Sequence, residues 1–70
     1  MILDNRGLEP PQPMMKTLEA LEIIDVGEQV TIINDRRPMF LFAELDEKGY
    51  TYETKEQEDG SFKITITKSR

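Results

Sequence analysis

The sequence lacks three residue types on which much protein chemistry depends. Its 70 residues include no cysteine, no histidine and no tryptophan. Without cysteine they cannot form a disulfide, a thiolate nucleophile or a sulfur-ligated metal site. Without histidine they also lack the usual general base near neutral pH. We predict no metal and no cofactor, because the carboxylates show no spacing typical of a calcium-binding loop.

Basic charge and long apolar runs are also scarce. Nine Lys and Arg residues stand against fourteen Asp and Glu, for a net charge of −5, which opposes binding to nucleic acid or to an anionic membrane. The longest apolar run, residues 39–43, is too short to span a bilayer, and the first residues do not resemble a signal peptide. We predict a single domain over residues 1–70 that is cytoplasmic, monomeric or weakly dimeric, and binds neither nucleic acid nor membrane.

Hydrophobic periodicity predicts the element order β-α-β-α-β-β. Apolar residues recur at helical spacing in the first half of the chain and alternate in the last third. Right-handed crossovers would place both helices on one face of the sheet. We predict an α/β (α+β) two-layer sandwich with a four-stranded mixed sheet. The predicted strands are 1–4, 29–33, 50–56 and 61–67; the first helix starts between Pro11 and Pro13, and the second follows the segment 34–38 and ends near Lys48.

The predicted hairpin between the last two strands contains Asp59-Gly60, which favours a two-residue type I′ turn. The acidic run from Glu53 to Asp59 leads into its tip. One interpretation is a carboxylate pair for acid–base chemistry, but nothing at a hairpin tip would desolvate such a pair. A solvated surface is the interpretation we favour.

Two loops are predicted to meet at one edge of the sheet, because parallel strands 1–4 and 29–33 both end there and both lead into helices. We call loops 5–11 and 34–38 the helix-entrance edge. Three of the four arginines lie on these loops. Together with Gly7 and the free helix amides they would suit an anion. The alternative is that the arginines, Arg6, Arg36 and Arg37, pair locally with Asp4, Glu9 and Asp35.

Apolar side chains are also predicted at this edge. At helical spacing Met39 and Phe40 point away from the core-facing residues of the second helix, so they would form a docking patch rimmed by arginine. The alternative is that Phe40 packs sideways between the two helices. Asn34 or Asp35 is a candidate side-chain cap for the second helix.

The opening residues resemble those of the TusA/SirA family of small sulfur carriers. In that family a strand ending in Leu-Asp leads through a Gly-Leu turn to a Cys-Pro-x-Pro motif that opens the first helix. The resemblance implies the same β-α-β-α-β-β sandwich and covers nearly the whole chain. Its matching positions are Leu3-Asp4, Arg6-Gly7-Leu8, Pro11-Gln12-Pro13, Met14-Met15, Gly27-Glu28 and Gly49-Tyr50.

The sequence departs from that family at Pro10, where the resemblance places the cysteine that carries the persulfide. Pro10, Pro11 and Pro13 keep a rigid helix entrance but supply no nucleophile. Sulfur transfer by these residues alone is therefore excluded. The segment 34–38 resembles a cysteine-poor branch known only as a domain of unknown function, whose members sometimes occur beside hemerythrin-like or other redox-associated domains.

These observations predict a non-catalytic domain that acts by binding. We expect a protein partner, in sulfur or redox metabolism, at the helix-entrance edge. The alternative is a small anion at the same edge. An enzyme is a third hypothesis, and it would need a carboxylate or tyrosine mechanism for which the sequence shows no constellation.

Overall fold

The computed structural model describes residues 1–69 and has the predicted element order. Pro13 lies in the first turn of the first helix, where a missing N–H group is tolerated. The second helix ends at Gly49, whose φ of +76° is left-handed. The elements are β1 (Ile2–Asp4), α1 (Gln12–Ile23), β2 (Gln29–Asn34), α2 (Met39–Lys48), β3 (Thr51–Glu56) and β4 (Phe62–Thr67).

The four strands form one mixed sheet in the order β1-β2-β4-β3. β1 pairs in parallel with β2, and Leu3 lies opposite Ile32. β4 runs antiparallel to both β2 and β3, so the start of β4 lies beside the end of β2. The hairpin between β3 and β4 is therefore at the same edge of the sheet as the loops that lead into both helices.

The core lies between the sheet and the two helices. One face of β2 and β4 contributes side chains that are fully buried, and both helices contribute to the same hydrophobic cluster. Both helices therefore cover one face of the sheet, as predicted, in a two-layer α+β sandwich. The buried members are Ala20, Leu21, Ile24, Val30, Ile32, Leu41, Leu45, Ile64 and Ile66.

Aromatic stacking joins α2 to β3. The rings of Phe42 and Tyr52 are parallel, with centroids 4.7 Å apart. The Tyr52 hydroxyl donates a hydrogen bond to Asp46 at 3.0 Å. Burial of the phenol, and secondarily its carboxylate partner, raise the pKa of Tyr52.

Within residues 1–69, neither helix is both long and apolar enough to cross a membrane.

Two local predictions were wrong. Among residues 1–69 no side chain caps α2, whose N-cap position is Pro38. Asn34 instead continues β2 and pairs with Phe62. The turn between β3 and β4 is not type I′, which needs positive φ at two central residues. Only Gly60 has positive φ there, and the Gln57 amide donates to the Ser61 carbonyl at 2.8 Å, so the loop has three residues and ends in a glycine bulge.

Candidate functional site

A groove opens at the helix-entrance edge, between the loop before α1 and the loop before α2. Its volume is about 650 Å³, which is within the range of sites that accept small molecules or short peptide segments. We call it the entrance groove. Eight of the nine residues predicted for the site line it: Gly7, Pro10, Pro11, Pro13, Arg36, Arg37, Met39 and Phe40.

Arg6 is the predicted residue that does not line the groove. Its guanidinium donates to Asp4 at 2.8 Å and to Asp59 at 3.2 Å. Hydrogen bonds from Arg6 lower the pKa of Asp4 to about 2, and the Asp4 carboxylate raises the pKa of Arg6. The pKa of Asp59 is lowered first by its hydrogen bonds from Ser61 and then by Arg6. For Arg6 the local-pairing interpretation is therefore correct.

Arg36 and Arg37 differ from Arg6 in their surroundings. Both side chains are exposed. Neither Arg36 nor Arg37 forms an ion pair with any residue in the range 1–69. The guanidinium carbon of Arg37 lies 5.3 Å from the centroid of the Phe62 ring. This cation–π contact orders the guanidinium without neutralising it. Arg37 thus lines the groove as a cation that is ordered by an aromatic ring and forms no ion pair within residues 1–69.

Apolar side chains beside these arginines are open to solvent. Met39 is 65% exposed and Phe40 is 85% exposed. The interpretation that Phe40 packs sideways between the helices is therefore wrong. Both residues belong to the first turn of α2, so the arginine pair and the apolar pair are adjacent in the chain and at one end of one helix.

The first turn of α2 also offers backbone donors. No side chain caps this helix, and the amides of Phe40 and Leu41 have no hydrogen-bond partner among the residues that the structure describes. The amide of Met39 bonds to the Arg37 carbonyl, and that of Phe42 to the Pro38 carbonyl. These two amides lie at the N-terminus of α2, where the helix dipole favours an anionic group, and Arg36 and Arg37 precede the same helix in the chain.

Buried polar side chains join the elements that form the groove through hydrogen bonds. The Asn5 amide nitrogen donates to Thr17 at 3.3 Å and to Asn34 at 3.2 Å. The Thr17 hydroxyl donates to the Pro13 carbonyl at 2.8 Å. These bonds join the end of β1, the first turn of α1 and the end of β2. All three side chains are at least nine-tenths buried.

Asn34 and Asp35 complete this arrangement. Asn34 is 6% exposed and lines the groove. Its Oδ1 accepts from Asn5, whereas its Nδ2 has no partner within residues 1–69 and is not fully enclosed. The Asp35 carboxylate accepts a hydrogen bond from the Gly7 amide at 2.8 Å, which fastens one loop of the helix-entrance edge to the other.

Sequence reasoning missed the part played by the hairpin tip. Asp59 was interpreted as part of a solvated acidic surface, yet it pairs with Arg6 across the edge. The strand order supplies the signal: β4 runs antiparallel to β2, so its preceding turn must lie where β2 ends. Asn34 was also missed as a groove residue.

No three acidic side chains in the described part of the chain form a group that could hold a metal ion.

Three comparisons relate the chain to known proteins. Residues 2–68 match the family described as uncharacterized conserved protein (DUF2249). A Methanocaldococcus jannaschii protein named "Putative sulfur carrier protein" is 36% identical over 94% of this chain and 91% of its own length. The crystal structure of a SirA-like protein from Desulfitobacterium hafniense superimposes with a TM-score of 0.85 at 28% identity, and the match covers 100% of both chains.

Proposed function

The chain belongs to the DUF2249 family, which is TusA/SirA-like, and from that premise we propose that it is a protein-interaction domain without sulfur-transfer chemistry of its own. A sulfur carrier needs a thiol on which a persulfide forms, and these 70 residues contain none. Pro10 lines the entrance groove at the position where the resemblance places the family's cysteine. The fold and its helix-entrance edge are kept while the nucleophile is absent.

The observation that carries the proposal is the composition of the entrance groove. Met39 and Phe40 expose apolar area beside two arginines that lack ion-pair partners within residues 1–69. Methionine and aromatic side chains with arginine are the residues enriched where proteins bind one another. We infer a protein partner, in a sulfur or redox process.

A small anion is the second candidate. It is favoured by Arg36 and by the amides of Phe40 and Leu41, which have no partner within residues 1–69. The volume of about 650 Å³ counts against it, because a compact oxyanion occupies only the space of a few water molecules at roughly 30 Å³ each. Such an ion would leave most of the apolar lining uncovered.

Amide NMR of the isotopically labelled protein tests the proposal. We would titrate it with protein fractions of a lysate from the organism that encodes it, and separately with sulfate, phosphate and thiosulfate. We expect a protein fraction to shift amides at residues 7–14 and 36–41. Arg36→Glu with Arg37→Glu should abolish those shifts.

The matched control is Lys55→Glu with Lys63→Glu. These two lysines face each other across β3 and β4 and are exposed, and their replacement changes the net charge equally. The control protein should shift as the wild type does. Shifts confined to Lys63, Thr65 and Thr67 would move the site to the open face of the sheet. Shifts caused by the oxyanions alone would favour the second candidate.

A further inference from the structure

The entrance groove combines arginines with exposed apolar side chains, and this combination defines what can fill it. Its cations, Arg36 and Arg37, lie on the loop before α2, whereas its prolines come from the loop before α1. We propose that the groove binds a linear peptide segment in which a large apolar side chain is next to an Asp or Glu. This inference rests on the proposed function and names the chemistry of the partner.

The N-terminus of α2 favours an acidic residue in the segment. Arg37 is held over Phe62 with its centre 5.3 Å from the ring, so a carboxylate meets a guanidinium that has already lost part of its conformational freedom. The amides of Phe40 and Leu41, which have no partner within residues 1–69, add donors at the N-terminus of the helix that follows Arg37. Charge-assisted hydrogen bonds of this kind are the stronger class.

Asn34 offers one further donor to a polar ligand group in the groove. It is more than nine-tenths buried, it lines the groove, and its Nδ2 has no partner among residues 1–69. Because this Nδ2 is not fully enclosed, water can accept its hydrogen bond, and a ligand that displaces the water keeps the bond only if it presents an acceptor. A backbone carbonyl or a carboxylate oxygen of the bound segment would satisfy it.

Met39, Phe40 and the three prolines favour a large apolar side chain in the segment. Phe40 is 85% exposed, and a side chain of this size is an expected anchor when a partner covers it. Pro10, Pro11 and Pro13 form a wall whose backbone angles are fixed, so little conformational freedom is lost on binding. A flexible Met39 adapts to Leu, Met or Phe in the partner.

Charge also separates this occupant from a second copy of the chain. Two copies would each bring a net charge of −5, and their mutual repulsion opposes association. A short segment carries far less charge than a second copy, and its carboxylate can contact Arg36 and Arg37, although Glu9 and Asp35 also line the groove. We therefore assign the groove to a linear segment rather than to a homodimer contact.

Fluorescence anisotropy with designed peptides tests the inference. The peptides are eight residues long, acetylated and amidated so that no terminal charge contributes. One set combines Leu, Phe or Met with Asp; a second replaces each Asp with Asn; a third replaces it with Lys. We expect saturable one-to-one binding of the Asp set, with the Asn set weaker by roughly ten- to a hundredfold and the Lys set weaker still.

Matched variants locate the binding. Phe40→Ala should weaken the Asp peptides about tenfold, whereas Ile23→Ala, which removes another exposed apolar side chain (76% exposed) away from the groove, should not. Arg36→Glu with Arg37→Glu should remove the preference for Asp over Asn. The Lys55→Glu, Lys63→Glu control should keep it.

The outcomes distinguish the inference from the proposed function. Equal binding of the Asp, Asn and Lys sets, lost with Phe40→Ala, would overturn the acidic assignment and leave a protein-binding groove. Failure of all three sets would overturn the inference, and the NMR titration with whole proteins would then decide the proposed function by itself. Concentration-dependent self-association that Phe40→Ala removes would assign the groove to a second copy.

Discussion

Thr17→Val removes the hydroxyl on which the buried bonds beneath the entrance groove converge, at almost unchanged side-chain volume. The hydroxyl donates to the Pro13 carbonyl at 2.8 Å and accepts from Asn5 at 3.3 Å. A hydrogen bond contributes about 1 kcal/mol net, and the longer of these two bonds contributes less. We therefore expect the free energy of unfolding to fall by about 1.5–2 kcal/mol. For a domain of this size that lowers the melting temperature by roughly 6–16 °C.

Chemical denaturation followed by circular dichroism measures this loss. Thr54→Val is the matched control, because Thr54 is exposed on β3 and its replacement should change stability by less than about 0.5 kcal/mol. In an Asn5→Ala background only the bond to Pro13 is left to lose, so Thr17→Val should then cost about 1 kcal/mol. An unchanged stability of Thr17→Val, or strict additivity with Asn5→Ala, would refute the reasoning.

Two further predictions concern the ends of the secondary-structure elements. Because the pKa of Asp4 is lowered from 3.8 to about 2, its contribution to stability is present above pH 4 and is lost as the pH falls toward 2. In an NMR titration, Arg6→Gln should raise the pKa of the Asp4 carboxyl group toward 3.8. An unchanged pKa would show that Arg6 is not the cause. Gly49→Ala should destabilise the fold by about 1 kcal/mol and Gly49→Asn by less, since the φ of +76° is left-handed; denaturation midpoints check both, and an alanine variant as stable as the wild type would contradict the argument.

The order of the elements could be predicted from the sequence because local and tertiary preferences agree. Thr17 and Leu21 recur at helical spacing and are buried, while Ile64 and Ile66 alternate with exposed or half-buried neighbours in β4. Where the two preferences compete, prediction failed. Asn34 is a good helix cap by type, but pairing with Phe62 extends β2 through it.

The hairpin failed for a comparable reason. Asp59-Gly60 favours a two-residue turn in isolation. In the fold the Asp59 carboxylate accepts hydrogen bonds from the Ser61 amide at 2.9 Å and from its hydroxyl at 2.6 Å, and the longer loop permits both. The bonds from Ser61 to the Asp59 side chain favour the three-residue loop. The preference of Asp-Gly for a two-residue turn does not take such bonds into account.

The candidate site could be predicted to the level of its loops, because the topology places both helix N-termini at one edge. Which arginine is paired could not be predicted. Arg6 and Arg36 lie on loops with similar acidic neighbours. Within residues 1–69, however, Arg6 pairs with carboxylates and Arg36 does not, and one of the partners of Arg6 is on a hairpin that lies 53 positions away in the chain. Pairing at that separation depends on strand order, which composition and spacing alone do not reveal.

The ties among the three loops have an evolutionary consequence. Arg6 connects loop 5–11 to the tip of the β3–β4 hairpin through Asp59. Asp35 connects loop 34–38 to loop 5–11 through the Gly7 amide. Residues joined in this way have non-additive effects, so substitutions in one loop change which substitutions the others tolerate. We expect the three loops to diverge together among relatives, and a loop transplanted from a relative to be accepted only with the residues that it contacts.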